Sequence, residues 1–156
     1  KQAMLSHMAG ENGVLYSTVG RKYRLVKINT WAIFSPLFAK VLSKNEAEKL
    51  VHQHLENTQE FATPYGVPTV ALNEQSFNPN GFWRGPVWLA TNWFIVKGLQ
   101  AYGFDTQAKK IIKQSVELLD KSGFREQYDP LTGEGYGAHE FTWGCLIMDM
   151  LKPTEL

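Results

Sequence analysis

The 156-residue chain sets 16 basic against 15 acidic residues, a formal charge of +1. No block of like charge occurs, so there is no electrostatic case for a nucleic-acid or anionic-membrane partner. No apolar run approaches the ~18 residues of a spanning helix, and Cys145, the one cysteine, excludes an intramolecular disulfide and a cysteine-built zinc site. That leaves the cytoplasm open as a compartment. The length favours a single unit with a real core, and 13% aromatics with five tryptophans supply rings that serve either as core or as sugar-stacking platforms.

In chain order, KQAMLSHM reads as the tail of a helix already under way, and the chain as a piece of something longer. GVLYSTVGRKYRLVKI (residues 13–28) predicts a short β-hairpin from its β-branched and aromatic content. SPLFAKVL (35–42) predicts a helix with Ser35 as cap and Pro36 at the first helical position. SKNE, from Ser43, is a capping box closed by Glu46; after it Ala47, Leu50, Val51, His54 and Leu55 share one helical face. VWLATNWFIVKGLQAY (87–102) is apolar nearly all round. Asp105 then caps a second one-faced helix that gathers Ala108, Ile111, Ile112, Ser115 and Leu119 and stops at Gly123. FTWGCLIMDML (141–151) is again apolar all round.

A helix apolar on every side is buried on every side. The alternation of one-faced and all-round apolar helices therefore predicts two concentric layers: an all-α, partial (α/α)6 toroid of about three helical hairpins, with the one possible β-hairpin near its start. Links from buried to one-faced helices are short. The reverse links, residues 10–34, 57–84 and 123–140, are long, and loops of that length usually carry function. Alternating direction places all three at the N-terminal end of the inner helices, where free N–H groups and positive dipoles collect.

Two stretches there carry candidate chemistry. In FWRGPVW, Gly85 permits close backbone approach, Pro86 suits a first helical turn, and Arg84 offers a planar cationic fork between Trp83 and Trp88. The bland alternative is an arginine paired with a structural carboxylate and two packing tryptophans. In FREQYDPLTGEGYGAHEFTW, Glu126 sits in a glycine-shaped loop between a helix stop and a buried helix. Elsewhere such a glutamate is a solvated surface charge. His139 and Glu140 lack metal-ligand spacing, so no metal site is expected. Asn92 reads as a core amide rather than a hydroxyl ligand.

The runs FATPYGVPTV, GFWRGPVWLATNWF, GLQAYGFD and GFREQYDPLTGEGYGAHEFTW resemble, in that order, the C-terminal half of glycoside hydrolase family 63, and more weakly the trehalases. The resemblance implies an (α/α)6 barrel without a cofactor, acting on an oligosaccharide or small α-glycoside. It implies Glu126 as general base of an inverting hydrolysis and Trp83, Arg84 and Trp88 lining the sugar site; Tyr128, Tyr136 and Trp143, in the glutamate's own stretch, are expected to bind substrate beside them. In such a reaction a second, protonated carboxyl stands about 6.5–9.5 Å away and protonates the leaving oxygen. The family's acid is an aspartate of the first half of the barrel, and none of Asp105, Asp120, Asp129 and Asp149 has its surroundings. The expected partner is therefore the missing N-terminal half, or a second copy covering the inner helices. Two other readings remain: a non-catalytic sugar-binding or structural half-toroid, and a sugar epimerase or lyase using His139 or Tyr136 as proton carrier.

Overall fold

The structure is a computed structural model that describes residues 1–152. Helix α1 (Gln2–His7) leads into an antiparallel hairpin, β1 (Ser17–Val19) and β2 (Arg24–Val26), with Ser17 opposite Val26. A 3₁₀ turn (Trp31–Phe34) then runs directly into α2 (Ser35–Phe38). Because helical turning starts at Trp31, the cap is Thr30, whose hydroxyl accepts from the Ala32 N–H. Ser35, expected as the cap, already lies inside the helix and donates to Ala32 O at 2.7 Å.

Helix α3 (Lys44–Leu50) opens with the full capping box between Ser43 and Glu46 and continues without a break as a π-helical stretch (Val51–Leu55). The long inner helix α4 (Leu89–Ala101) and the outer helix α5 (Asp105–Ser122) are joined by three residues. Asp105 is the first residue of α5 rather than its cap; Phe104 holds that position without a side-chain bond. The charge of Asp105 still favours the positive helix start. Gly123 ends α5 at φ +72°, as its glycine character requires.

The stretch expected as a loop between Gly123 and Glu140 is a second antiparallel hairpin, β3 (Arg125–Tyr128) with β4 (Gly135–His139). The described residues are thus mostly helical, with the expected hairpin near the start and this second one after α5. A 3₁₀ turn (Thr142–Leu146) and α6 (Ile147–Met150) complete the described elements.

Helix α4 is the hub, packing on α2, α5 and α6. At the crossing with α2 a Cβ on Gly98 would stand 2.8 Å from Leu37 Cβ and from the Phe38 backbone nitrogen, so only glycine lets these helices approach so closely. Phe34, Leu37, Val51, Phe61, Val96 and Leu99 fill the core between inner and outer helices. The other side of the inner helices is open. Phe38 is 42% exposed, Phe94 36% and Met148 67%, and the rings of Phe38, Trp93 and Phe94 touch one another there. Burial on every side, expected for these helices, fails on this face because the helices form an arc rather than a closed ring.

At the N-terminal ends of α2 and α4 the long connections are laced together. Trp31 N–H donates to Thr69 O, Ala71 N–H to Asn29 O, and Thr69 N–H to Pro86 O. Val87 and Tyr128 exchange both backbone bonds, at 2.7 and 2.9 Å. Asn92 fastens the middle connection to α4: its side chain accepts from Val67 N–H and donates to Val67 O, each at 3.0 Å. It is a core amide, fully buried and fully used.

Candidate active site

The β3–β4 hairpin owes its shape to one extra residue. Arg125 pairs with His139 and Gln127 with Tyr136, so Glu126 alone faces both Gly137 and Ala138. This is a β-bulge, and Gly137 adopts the left-handed φ of +70° that the bulged position demands. The bulge turns the Ala138 N–H toward the glutamate, and Glu126 Oε2 accepts from it at 3.2 Å. Among the described residues Oε1 has no protein partner. The half-buried carboxylate is therefore held at one oxygen and open at the other.

Two flanking segments place the hairpin. Val87, two residues after Gly85 of the FWRGPVW stretch, bridges to Tyr128 on one side. On the other, Phe141 N–H donates to Phe124 O, and the Phe124 ring sits where a Cβ on Gly144 would be. The FWRGPVW loop closes on itself through Asn78 N–H to Arg84 O at 2.8 Å. A Cβ on Gly85 would lie 2.6 Å from the Asn78 carbonyl carbon, so the close approach expected of Gly85 is real. Thr69 secures the same loop, accepting from Gly85 N–H and donating to Pro86 O, each at 3.0 Å.

That loop presents Phe82, Trp83 and Arg84 to solvent. Trp83 stacks on Trp88, with centroids 4.2 Å apart and planes at 5°. Trp143 approaches both rings, and Phe82 and Phe141 meet Trp88 edge-on. Trp88 itself is only 2% exposed and spends its indole N–H on Phe82 O at 3.0 Å. The open aromatic surface is therefore made by Phe82, Trp83 and Trp143, with Trp88 behind them. Phe82 and Phe141 belong to this cluster and were not among the expected site residues, although both stand in the quoted motifs. The Arg84 guanidinium has no carboxylate partner among the described residues.

The hydroxyls of both expected tyrosines are engaged by neighbouring residues. Tyr128 is completely buried; its hydroxyl donates to Gly123 O at 2.8 Å and accepts from Arg125 N–H at 2.9 Å. It locks the start of β3 to the end of α5 and offers no face to a ligand. The Tyr136 hydroxyl donates to Asp129 Oδ2 at 3.2 Å, with Glu134 Oε2 at 3.4 Å. Burial, then the Asp129 and Glu134 charges, push its pKa up to about 12. A phenol so strongly protonated is a poor proton carrier at neutral pH. His139 is exposed beside Glu140, opposite Arg125.

Two aspartates are occupied, one in the hairpin turn and one on α6. Asp129 Oδ1 accepts from Leu131 and Thr132 N–H in the hairpin turn. Asp149 pairs with Lys97 at 2.9 Å and accepts from Trp93 Nε1 at 2.7 Å, and these contacts, Lys97 foremost, hold its carboxyl below the usual range. No group of three potential metal ligands occurs among the described residues. A shallow pocket lined by Leu55, Phe61, Gln107 and Gln114 lies between the outer helices and shares no residue with the aromatic cluster.

A two-layered helical arc, with aromatic rings and a tethered carboxylate at the N-terminal end of its inner helices, is part of an (α/α)6 glycosidase fold. Neutral trehalase Nth1 from Saccharomyces cerevisiae shares that fold at a TM-score of 0.69 and 18% identity, over 97% of this chain and 29% of that one. The chain belongs to the family of mannosylglycerate hydrolase MGH1-like glycoside hydrolase domains, whose model matches residues 1–144. It is 38% identical over 122 residues to a mannosylglycerate hydrolase from Thermus thermophilus, covering 78% of this chain and 29% of that relative. A second relative, mannosylglycerate hydrolase MGH1 of Selaginella moellendorffii, is 38% identical over 73% of this chain and 23% of its own length. A solved GH63 mannosylglycerate hydrolase, from a second strain of Thermus thermophilus and in complex with glucose, superposes at a TM-score of 0.83 and 31% identity, over 93% of this chain and 36% of that one. The chain thus spans less than a third of the curated relatives named here.

Proposed function

We propose that this chain is the general-base half of an inverting α-glycoside hydrolase acting on a small glycoside of glycerate, mannosylglycerate or glucosylglycerate. Relatives of both descriptions match the chain. The observation that carries the mechanism is the Glu126 carboxylate. One oxygen is fixed by the Ala138 N–H, the other is open, and β3 is bridged to the segment that bears the aromatic cluster. Oε1 then activates the water that attacks the anomeric carbon. Trp83 and Trp143 stack on the apolar face of the sugar, and Arg84 supplies the cation that a glycerate carboxylate requires. Trp88, Tyr128 and Tyr136 support these groups from behind.

We propose that the rest of the protein supplies the acid; within this chain Asp129 and Asp149 are engaged in other contacts. We propose that the same remainder covers the open face of Phe38, Trp93 and Phe94. The test is proton NMR of sugar release from mannosylglycerate and glucosylglycerate, using the whole natural protein that carries this chain beside its Glu126→Ala variant. We expect the β-anomer first, with kcat reduced about 10³-fold or more in the variant. First release of the α-anomer, or a variant of undiminished rate, removes the assignment.

A further inference from the structure

The peptide joining Gly137 to Ala138 is turned out of the β3–β4 ladder, and both of its polar ends are engaged. Its carbonyl, on Gly137, accepts from Arg125 Nη2 at 3.1 Å, and its N–H, on Ala138, donates to Glu126 Oε2 at 3.2 Å. Arg125 and Glu126 are consecutive in β3, so their side chains leave on opposite faces. The C=O and N–H of a trans peptide likewise point in opposite directions. One peptide therefore reaches through the hairpin, from a guanidinium on one face to a carboxylate on the other.

Only glycine allows this. Position 137 has φ +70°, and a Cβ there would collide with the Glu126 carboxylate itself. Arg125 is committed to the peptide: among the described residues it has no carboxylate partner, and its buried Nε has no acceptor. A cation at the carbonyl end polarises the peptide and strengthens its N–H as a donor to an anion.

We propose that Arg125 and Gly137 are positioning residues for the catalytic base, acting through this peptide to fix the rotamer of Glu126 and leave Oε1 free for water. The inference rests on the reading of Glu126 given above. It is tested in the whole natural protein with mannosylglycerate as substrate. Gly137→Ala and Arg125→Lys are made singly and in a Glu126→Gln background, and thermal unfolding of each variant is followed by circular dichroism. Misplacing a base by about 1 Å costs about 10²-fold. Gly137→Ala should therefore lower kcat about 100-fold, and Arg125→Lys, which keeps the charge but loses the fork, about tenfold, with KM changed less than about threefold. In the Glu126→Gln background neither substitution should change the residual rate by more than about twofold, because there is no base left to position.

Folded single variants with wild-type kcat would overturn the proposal, as would the same fractional loss in both backgrounds, which marks a merely structural role. Should Gly137→Ala fail to fold, Arg125→Lys decides alone, since its side chain lies only half buried at the start of the hairpin. Full activity in Glu126→Gln alone would instead remove the base assignment, and the positioning role with it.

Discussion

Tyr136 sends its hydroxyl toward two carboxylates at once, and this decides what it can do. With its pKa near 12 it stays a neutral donor over the whole working range, so the Tyr136→Phe variant should keep kcat within a few-fold and leave the shape of the pH–rate profile below pH 9 unaltered. A lost alkaline limb in that variant would restore tyrosine as proton carrier, and with it the epimerase or lyase reading. At this scale the site was partly legible. The place of Glu126 in a glycine-shaped loop and of Trp83 just ahead of a buried helix could be read from their motifs; the roles proposed for them come from the family resemblance. The burial of Trp88 and Tyr128 could not be read there, because it depends on Trp83 folding back over one and on Val87 and Gly123 closing on the other. Nothing within a few residues of either position announces those contacts.

Among the elements, α3 and α5 were readable since their signals are local: a capping box or a glycine stop at one end, and an apolar period of 3.6 between. The capping box also carries a pH dependence. The Ser43 hydroxyl, then its backbone N–H, hold the Glu46 pKa below its usual 4.5. A carboxylate whose pKa is depressed on folding contributes stability in full above its unfolded value and loses it as the pH falls through the lower folded value. Ser43→Ala should accordingly lower stability by about 1 kcal/mol at neutral pH. The difference from wild type should shrink as urea titrations are taken below pH 4.5, and a constant difference would mean the box does not act through the carboxylate. The β3–β4 hairpin was not readable. REQY and GYGAH lack the alternation of branched apolar residues that marks a strand. Their pairing is set instead by the tertiary bridge to Val87 and by a bulge for which Gly137 was the only local sign.

For the whole molecule, the two-layer arrangement followed from which helices are apolar on one side and which all round; the open inner face followed from there being too few of them to close a ring. Phe38 and Phe94 give that face an aromatic surface which a solitary chain leaves wet. The isolated 156-residue chain should self-associate in sedimentation velocity, and the Phe38→Gln/Phe94→Gln double variant should do so markedly less. A monomeric wild-type chain would show that the face needs no cover. The lacing of the long connections has a different consequence, one of order in time. Backbone bonds that join Asn29 to Ala71, Thr69 to Pro86 and Val87 to Tyr128 tie segments far apart in sequence, so none of them opens unless several do. In hydrogen–deuterium exchange the amides of Ala71, Thr69, Val87 and Tyr128 should be among the slowest, at the rate of global unfolding, while those of β1 and β2 exchange early. Catalytic ends are commonly the loose parts of a protein; here the chemistry would sit on the last part to let go.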